Sequence, residues 1–310
     1  MELLHLPDNV KVHYAGSEVQ NQFLAVKELG VSYSLYTAFP FVEKKVFGET
    51  KCPIMPLKWQ KGNEAVAIPN YIARNSLHTI QDSGLFTLMF GGRSGKHDDQ
   101  LIGRWYDALV EFTLTHACGA TCVEVDCQKV LGVEQAWQFR QRMQKDLPQN
   151  RIINVFHIED GQKGLDRLIE FSEYIAISVP ELRFAGKKAD VPRLARYIKQ
   201  RKPSIDIHLL GCTELKLLKE CSFCTSADST SFKSGLRFGF IKGHHQKYID
   251  TTKVKELVGE HSYSIINEYA NERNTNCLCV QIEMLKRDYE NAAGNQDYFK
   301  QYNKLKKQEK

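Results

Sequence analysis

From about residue 79 onward the chain alternates short apolar runs with amphipathic helical stretches, and this alternation constrains the fold more than any other feature. Leu77-His78-Thr79-Ile80 leads into Asp82, and the stretch after it places Leu101, Trp105, Leu109 and Phe112 on one helical face. Residues 121–126 read as a strand, and the helix that follows, with Val133, Ala136, Trp137 and Met143, stops near Pro148. The order then repeats. Residues 152–156 precede a helix bearing Leu165, Leu168 and Ile169, and residues 174–178 precede one opened by Asp190 with Val191, Leu194, Ala195 and Ile198 in register. Residues 205–210 lead to a short helix opened by Thr213 and Glu214, and a last strand runs through Phe223 to Asp228. Such repetition implies parallel pairing with right-handed crossovers. With His13 and Tyr36 near the ends of two earlier strands, it favours a closed (β/α)8 TIM-type barrel over an open sheet. The barrel is expected over residues 1–250, with an irregular, proline-bearing insertion at about 40–69. Residues 251–310 are expected to form a helical extension with a basic tail.

The 310 residues are enough for one large core, and 42% hydrophobic with 25% charged residues is ordinary for a globular protein. Met1-Glu2-Leu3-Leu4-His5 has neither the basic flank nor the apolar stretch of an export signal, and no window approaches a spanning helix. No membrane association and a cytoplasmic location are therefore expected. The nine cysteines are scattered and odd in number, which fits reduced thiols better than a disulfide framework. Net charge is only +5, but it is clustered. Lys44, Lys45, Lys51, Lys58 and Lys61 form one group, Arg237, Lys242 and Lys247 with His244-His245 a second, and the C-terminal tail a third. Local excess of this kind suits a polyanionic partner, although a solvated surface has the same composition.

Three stretches end an apolar strand with polar or acidic residues. They are Asp82-Ser83-Gly84-Leu85-Phe86-Thr87, Val155-Phe156-His157 with Glu159 and Asp160, and Ala227-Asp228-Ser229-Thr230-Ser231-Phe232. In a (β/α)8 barrel the C-terminal strand ends carry the chemistry. Two carboxylates at separate strand ends are what a glycosyl-transfer site needs, one to attack the anomeric carbon and one to manage a proton. Each also has a plainer reading: Asp82-Ser83-Gly84 is a turn sequence, and an aspartate before Ser-Thr-Ser fits a helix N-cap.

In their order and spacing these blocks resemble the tRNA-guanine transglycosylase superfamily, and most of all its compact branch of 7-deazaguanine DNA transglycosylases from phages and bacterial modification islands. Asp82-Ser83-Gly84-Leu85-Phe86-Thr87 stands where the superfamily has D-S-G-G-F-Q, and Val123-Glu124-Val125-Asp126 where it has a strand ending in a base-reading acid. Val155-Phe156-His157 matches the compact branch's V-F-H, and Ala176-Ile177-Ser178-Val179 stands for A-I-G-G. Asp228-Ser229-Thr230-Ser231-Phe232 matches D-S-T-S-W except at its last position. The likeness covers roughly residues 75–240.

The resemblance implies a fold and a chemistry. Asp228 would be the nucleophile and Asp82 the general acid/base. Asp126 would read the guanine edge, with His157, Asp160, Ser178 and Phe86 around the base. Arg237, Lys242 and Lys247 would contact nucleic-acid phosphates. The implied partners are DNA and a 7-deazaguanine base, with no cofactor, in the host cytoplasm if the chain is phage-encoded; a protein partner is left open. Leu85, Thr87, Ser178 and Val179 depart from the superfamily's motifs and are expected to reshape the base pocket. The tRNA enzymes bind zinc through C-x-C-x-x-C and a later histidine. Here Cys277-Leu278-Cys279 is followed by Ile282 and no histidine, so no metal is expected, and Cys221-x-x-Cys224 is expected on the strand into Asp228. The same reaction on tRNA, and a catalytically silent nucleic-acid-binding barrel, are the alternatives.

Overall fold

The computed structural model describes residues 9–50, 68–90, 98–241, 244–245 and 249–293. Eight parallel strands close into a barrel in sequence order: β1 (Lys11–Ala15), β2 (Tyr33–Thr37), β3 (His78–Asp82), β4 (Thr121–Val123), β5 (Arg151–Phe156), β6 (Tyr174–Ser178), β7 (Asp206–Leu210) and β8 (Ser226–Ser229). β8 pairs back onto β1, with His13 opposite Asp228, and this contact closes the ring. The expected (β/α)8 barrel is the observed fold.

Alternation along each strand separates an inner from an outer face. Ala15, Leu35, Ile80, Val123, Ile153, Val155 and Ala176 pack together from six strands as the inner apolar layer. Outward residues such as Val12, Ile175, Ile207 and Ala227 meet the surrounding helices. The strand parity that turns Ile80 inward also turns Asp82 inward, at the top of β3. Ser226 and Asp228 share the inner face of β8 in the same way.

Two expectations about the chain's organisation need correction. The stretch from residue 40 is not irregular throughout: Phe39–Phe47 and Ile68–Arg74 are helices. Pro40 lies in the first turn of its helix, where a missing N–H costs nothing. Residues 51–67, with Lys51, Lys58 and Lys61, lie outside the described residues. Residue 250 is likewise no boundary. The helix Glu272–Ala293 packs between Leu215–Glu220, which follows β7, and Gln20–Glu28, which follows β1. Its Leu278, Cys279, Ile282 and Tyr289 join the same core as Ala25, Val26, Leu217 and Leu218. This helix takes the eighth place in the outer ring, because Ser234–Phe238 after β8 is too short to cover the sheet. The basic tail from 294 is outside the described residues.

At finer scale, Asp190 ends a 3₁₀ turn that runs straight into the helix Val191–Arg201. Its carboxylate pairs with Arg193 instead of capping the backbone.

Candidate active site

Asp82 and Asp228 stand on the inner face at the C-terminal end of the barrel, each held through one oxygen. Asp82 Oδ1 accepts from the Gly84 N–H at 2.8 Å and from Thr37 Oγ1 at 3.2 Å. The turn that supplies the first donor needs glycine: Gly84 has φ of +74°, and a Cβ there would lie 2.7 Å from the Phe39 backbone. Asp228 Oδ1 accepts from the Gly211 N–H at 2.6 Å and faces His208 Nε2 at 3.2 Å. Both carboxylates therefore keep one oxygen, Oδ2, without a hydrogen-bond donor among the described residues.

Enclosure pushes the Asp82 carboxyl up to about 6; its two donors oppose the rise, while the charges of Asp228 and Glu18 add to it. Asp82 and Asp228 thus sense each other across the mouth although β3 and β8 are not neighbours. Thr37 links a further acid, since its N–H donates to Glu18 Oε2 at 3.2 Å while its hydroxyl holds Asp82. Lys233 is the nearby cation. Glu18 acts on it electrostatically, and its Nζ occupies the space that a side chain on Gly16 would fill. Burial lowers the Lys233 ammonium and raises the Glu18 carboxyl.

The opposite side of the mouth is built differently. His157, buried after β5, places Nε2 2.7 Å from Asp126 Oδ1 and Nδ1 2.9 Å from Glu181 Oε2. Burial alone would lower its affinity for a proton, but the two carboxylates raise it to about 10, so the ring is an imidazolium donating from both nitrogens. Glu181 is desolvated as well, yet its bonds from His157 and Lys129 hold it at about 2. Lys129 Nζ joins Glu181 to Glu159. Behind this cluster, buried Glu124 receives Arg140 Nε on both oxygens, Asn154 Nδ2 and the Val155 N–H. Arg140 Nη2 also donates to the Val155 carbonyl. That ion pair ties the segment ending in Asp126 to β5, which leads into His157.

Several expected site residues have different surroundings from those anticipated. His157 is at the site, but both ring nitrogens are taken by carboxylates, which leaves it no donor or acceptor for a base. Asp160 accepts the His157 N–H and Gln128 Nε2, one on each oxygen, and so caps the turn Ile158–Asp160 without facing the mouth. Ser178 caps the helix Val179–Phe184 by accepting from the Glu181 N–H at 3.4 Å. Leu85 and Val179 are buried in the apolar clusters outside the barrel, so neither narrows the pocket. Phe86 is 67% exposed on the helix Leu85–Phe90, beside the mouth and outside the core. Arg237 is exposed at the end of its short helix, whereas Lys242 and Lys247 lie outside the described residues.

Sequence reasoning missed Glu18, Thr37, Lys129, Glu181, Lys233 and the contact of His208 with Asp228. Ser178-Val179-Pro180-Glu181 has the S-x-x-E form of a helix start, which was a readable signal for Glu181. Nothing local foretold that its carboxylate would turn to His157.

His157, Glu159 and Glu181 lie close enough to share an ion. The Lys129 ammonium bridges the two glutamates of this group. Cys277 and Cys279 are buried on the helix Glu272–Ala293, where positions two apart point about 200° away from each other. Cys221 and Cys224 lie in the turn before β8 and not on the strand, in the apolar core at the end of the barrel remote from Asp228.

No family model matches the chain, and no curated protein matches it either. Solved structures do. Fructose-bisphosphate aldolase from Campylobacter jejuni aligns over 91% of this chain and 90% of its own at 12% identity, with a TM-score of 0.47. A protein described as QR15, an aldolase, aligns over 74% and 93% at 12% identity and a TM-score of 0.42. An endo-1,4-beta-xylanase from Caldicellulosiruptor owensensis aligns over 72% and 85% at 10% identity and a TM-score of 0.38. None of these three is a transglycosylase, and likeness this distant carries no argument about activity. Among the described residues no helix is long and apolar enough to cross a membrane.

Proposed function

We propose that this protein is a base-exchange transglycosylase that replaces guanine in DNA with a 7-deazaguanine base through a covalent glycosyl-aspartate. The observation that carries the reading is the pair of strand-end carboxylates, each held through Oδ1 and open at Oδ2, with Asp82 raised to about 6. A group with that affinity can hold a proton and release it near neutral pH.

In the first half-reaction Asp228 Oδ2 attacks C1′ of the target nucleoside. The bond from C1′ to N9 breaks, and guanine departs with the bonding pair and the proton of Asp82. In the second, the Asp82 carboxylate takes the N9 proton of the incoming base. N9 then attacks C1′ and displaces Asp228, so configuration is retained overall. Asp126, anchored on its Oδ1 by His157, is positioned to accept from the amino and ring N–H groups of a guanine-like edge through Oδ2. Arg237, exposed at the end of its short helix, offers a phosphate contact. A nucleotide in duplex DNA must first leave the stack, at a cost of a few kcal/mol.

The choice of DNA over tRNA rests on the resemblance of the Asp228-Ser229-Thr230-Ser231 block to the compact branch. The test is incubation with labelled 7-cyano-7-deazaguanine and either DNA or tRNA. Label in DNA that disappears in Asp228→Ala is expected. Label in tRNA alone would replace DNA as the substrate, and no label in either would leave a silent binding barrel. Intact-mass detection of a DNA adduct on the protein, absent in Asp228→Ala, tests the covalent step directly.

A further inference from the structure

Beneath Asp228 a chain of polar contacts crosses three adjacent strands. Tyr174 on β6 places its hydroxyl 2.5 Å from Ser226 Oγ on β8, and that oxygen lies 2.6 Å from His208 Nδ1 on β7. His208 Nε2 in turn faces Asp228 Oδ1 at 3.2 Å. Tyr174, His208 and Ser226 are each fully buried, so no water competes for these bonds. A barrel interior is ordinarily filled with branched apolar side chains. Three consecutive strands that spend inner positions on a hydroxyl, an imidazole and a second hydroxyl call for an explanation.

The direction of the protons follows from the inventory of donors. Burial raises the Tyr174 phenol, which therefore keeps its proton and donates to Ser226 Oγ. Ser226 then has its own single proton to give, and the neighbour that can accept it is His208 Nδ1. An imidazole that accepts at Nδ1 carries its hydrogen on Nε2, which points at a carboxylate oxygen. In the reverse direction Nε2 would present a lone pair to Asp228 Oδ1, which is repulsive while Asp228 is ionised.

We propose that His208 is a positioning residue for Asp228, fixed as the neutral Nε2–H tautomer by Ser226 and Tyr174, and that it selects Oδ2 as the attacking oxygen. This rests on the reading of Asp228 as nucleophile. With the Gly211 N–H, the imidazole occupies Oδ1 and orients the carboxylate plane, leaving Oδ2 without a donor among the described residues. When Oδ2 becomes an ester oxygen, Oδ1 is a carbonyl and still accepts both bonds, so no donor is stranded along the reaction.

The test uses the full-length protein labelled with ¹⁵N-histidine, His208 being assigned by comparison with His208→Gln. Long-range ¹H–¹⁵N correlation at pH 7.5 is expected to show a neutral ring protonated on Nε2, and Ser226→Ala to lose that preference. An imidazolium, or a ring protonated on Nδ1, in the wild-type protein would overturn the inference. This readout needs no substrate, so it stands apart from the failure of the transglycosylase reading. In base exchange, His208→Leu is expected to lower kcat about 100-fold with little change in KM, as for a misplaced reacting group. His208→Gln, which can return an N–H to Oδ1, is expected to recover most of that loss. Equal losses in the two variants would mean that His208 acts only as packing.

Discussion

The two sides of the barrel mouth hold acids in opposite ways. On one side Asp82 and Asp228 each keep an oxygen without a donor, and their mutual charge helps lift Asp82 to about 6. On the other, Asp126 and Glu181 are clamped by the His157 imidazolium, and Glu181 is held at about 2. Under-compensated acids can exchange protons and attack carbon; compensated ones keep a fixed charge and a fixed direction. The first arrangement suits chemistry and the second suits recognition, and this difference is what the proposed roles rest on.

The comparison can be broken first at Asp82. Asp82→Asn is expected to slow base exchange by about 10³-fold while leaving the fold intact, as read by labelled-base incorporation and circular dichroism. Loss of folding in place of loss of rate would move Asp82 to the structural side. In the proposed reaction the first half needs Asp82 protonated, so formation of the glycosyl-enzyme by the wild-type protein is expected to fall as pH rises through about 6. A flat profile across pH 5–8 in a quenched single-turnover experiment would contradict this.

His157→Ala should show the reverse pattern, a cost in stability of about 3 kcal/mol from the carboxylates left facing each other without their cation. Urea unfolding measures it; a loss below about 1 kcal/mol would show the clamp to be dispensable. The same group predicts a pH dependence. Its folded affinity is raised from 6.5 to about 10, so its contribution is fully present below 6.5 and is lost as pH rises through about 10. The wild-type midpoint should therefore decline from pH 7 to 10 more than that of His157→Gln, and parallel curves would refute the assignment. The smallest effect is expected at Lys129, which is partly exposed. Lys129→Met should cost less than about 1 kcal/mol, and a larger loss would mean that the Glu159–Lys129–Glu181 bridge is a structural element in its own right.

Much of the barrel was legible because local pattern and fold agree. Residues 174–178 form β6 at the expected limits, and the helix expected from Leu101 runs over Asp99–His116 with Asp98 as its cap. Asp82 and Asp228 were legible as strand-end acids. Less legible was everything that depends on which neighbour a side chain meets. His157 was readable as a strand-end histidine, yet its partners lie 31 and 24 residues away in sequence and decide its charge. Asp160 looked like a pocket acid and is a turn cap, because its own backbone donors are nearer than the mouth. The helix Glu272–Ala293 looked like decoration, since nothing local records that the segment after β8 leaves one place in the ring unfilled.

By itself the sequence determined the strand–helix alternation, its parallel closure and the placing of Asp82 and Asp228 at strand ends, whereas Asp126, expected on a strand over 121–126, lies three residues beyond β4, which ends at Val123. These follow from periodicity and turn chemistry, which act over a few residues. Only the tertiary structure decided which carboxylates are open and which are clamped, that His157 is charged, and that His208 stands behind Asp228. Burial and charge act through space, across strands separated by tens of residues, and set the protonation of each group only once the barrel has closed.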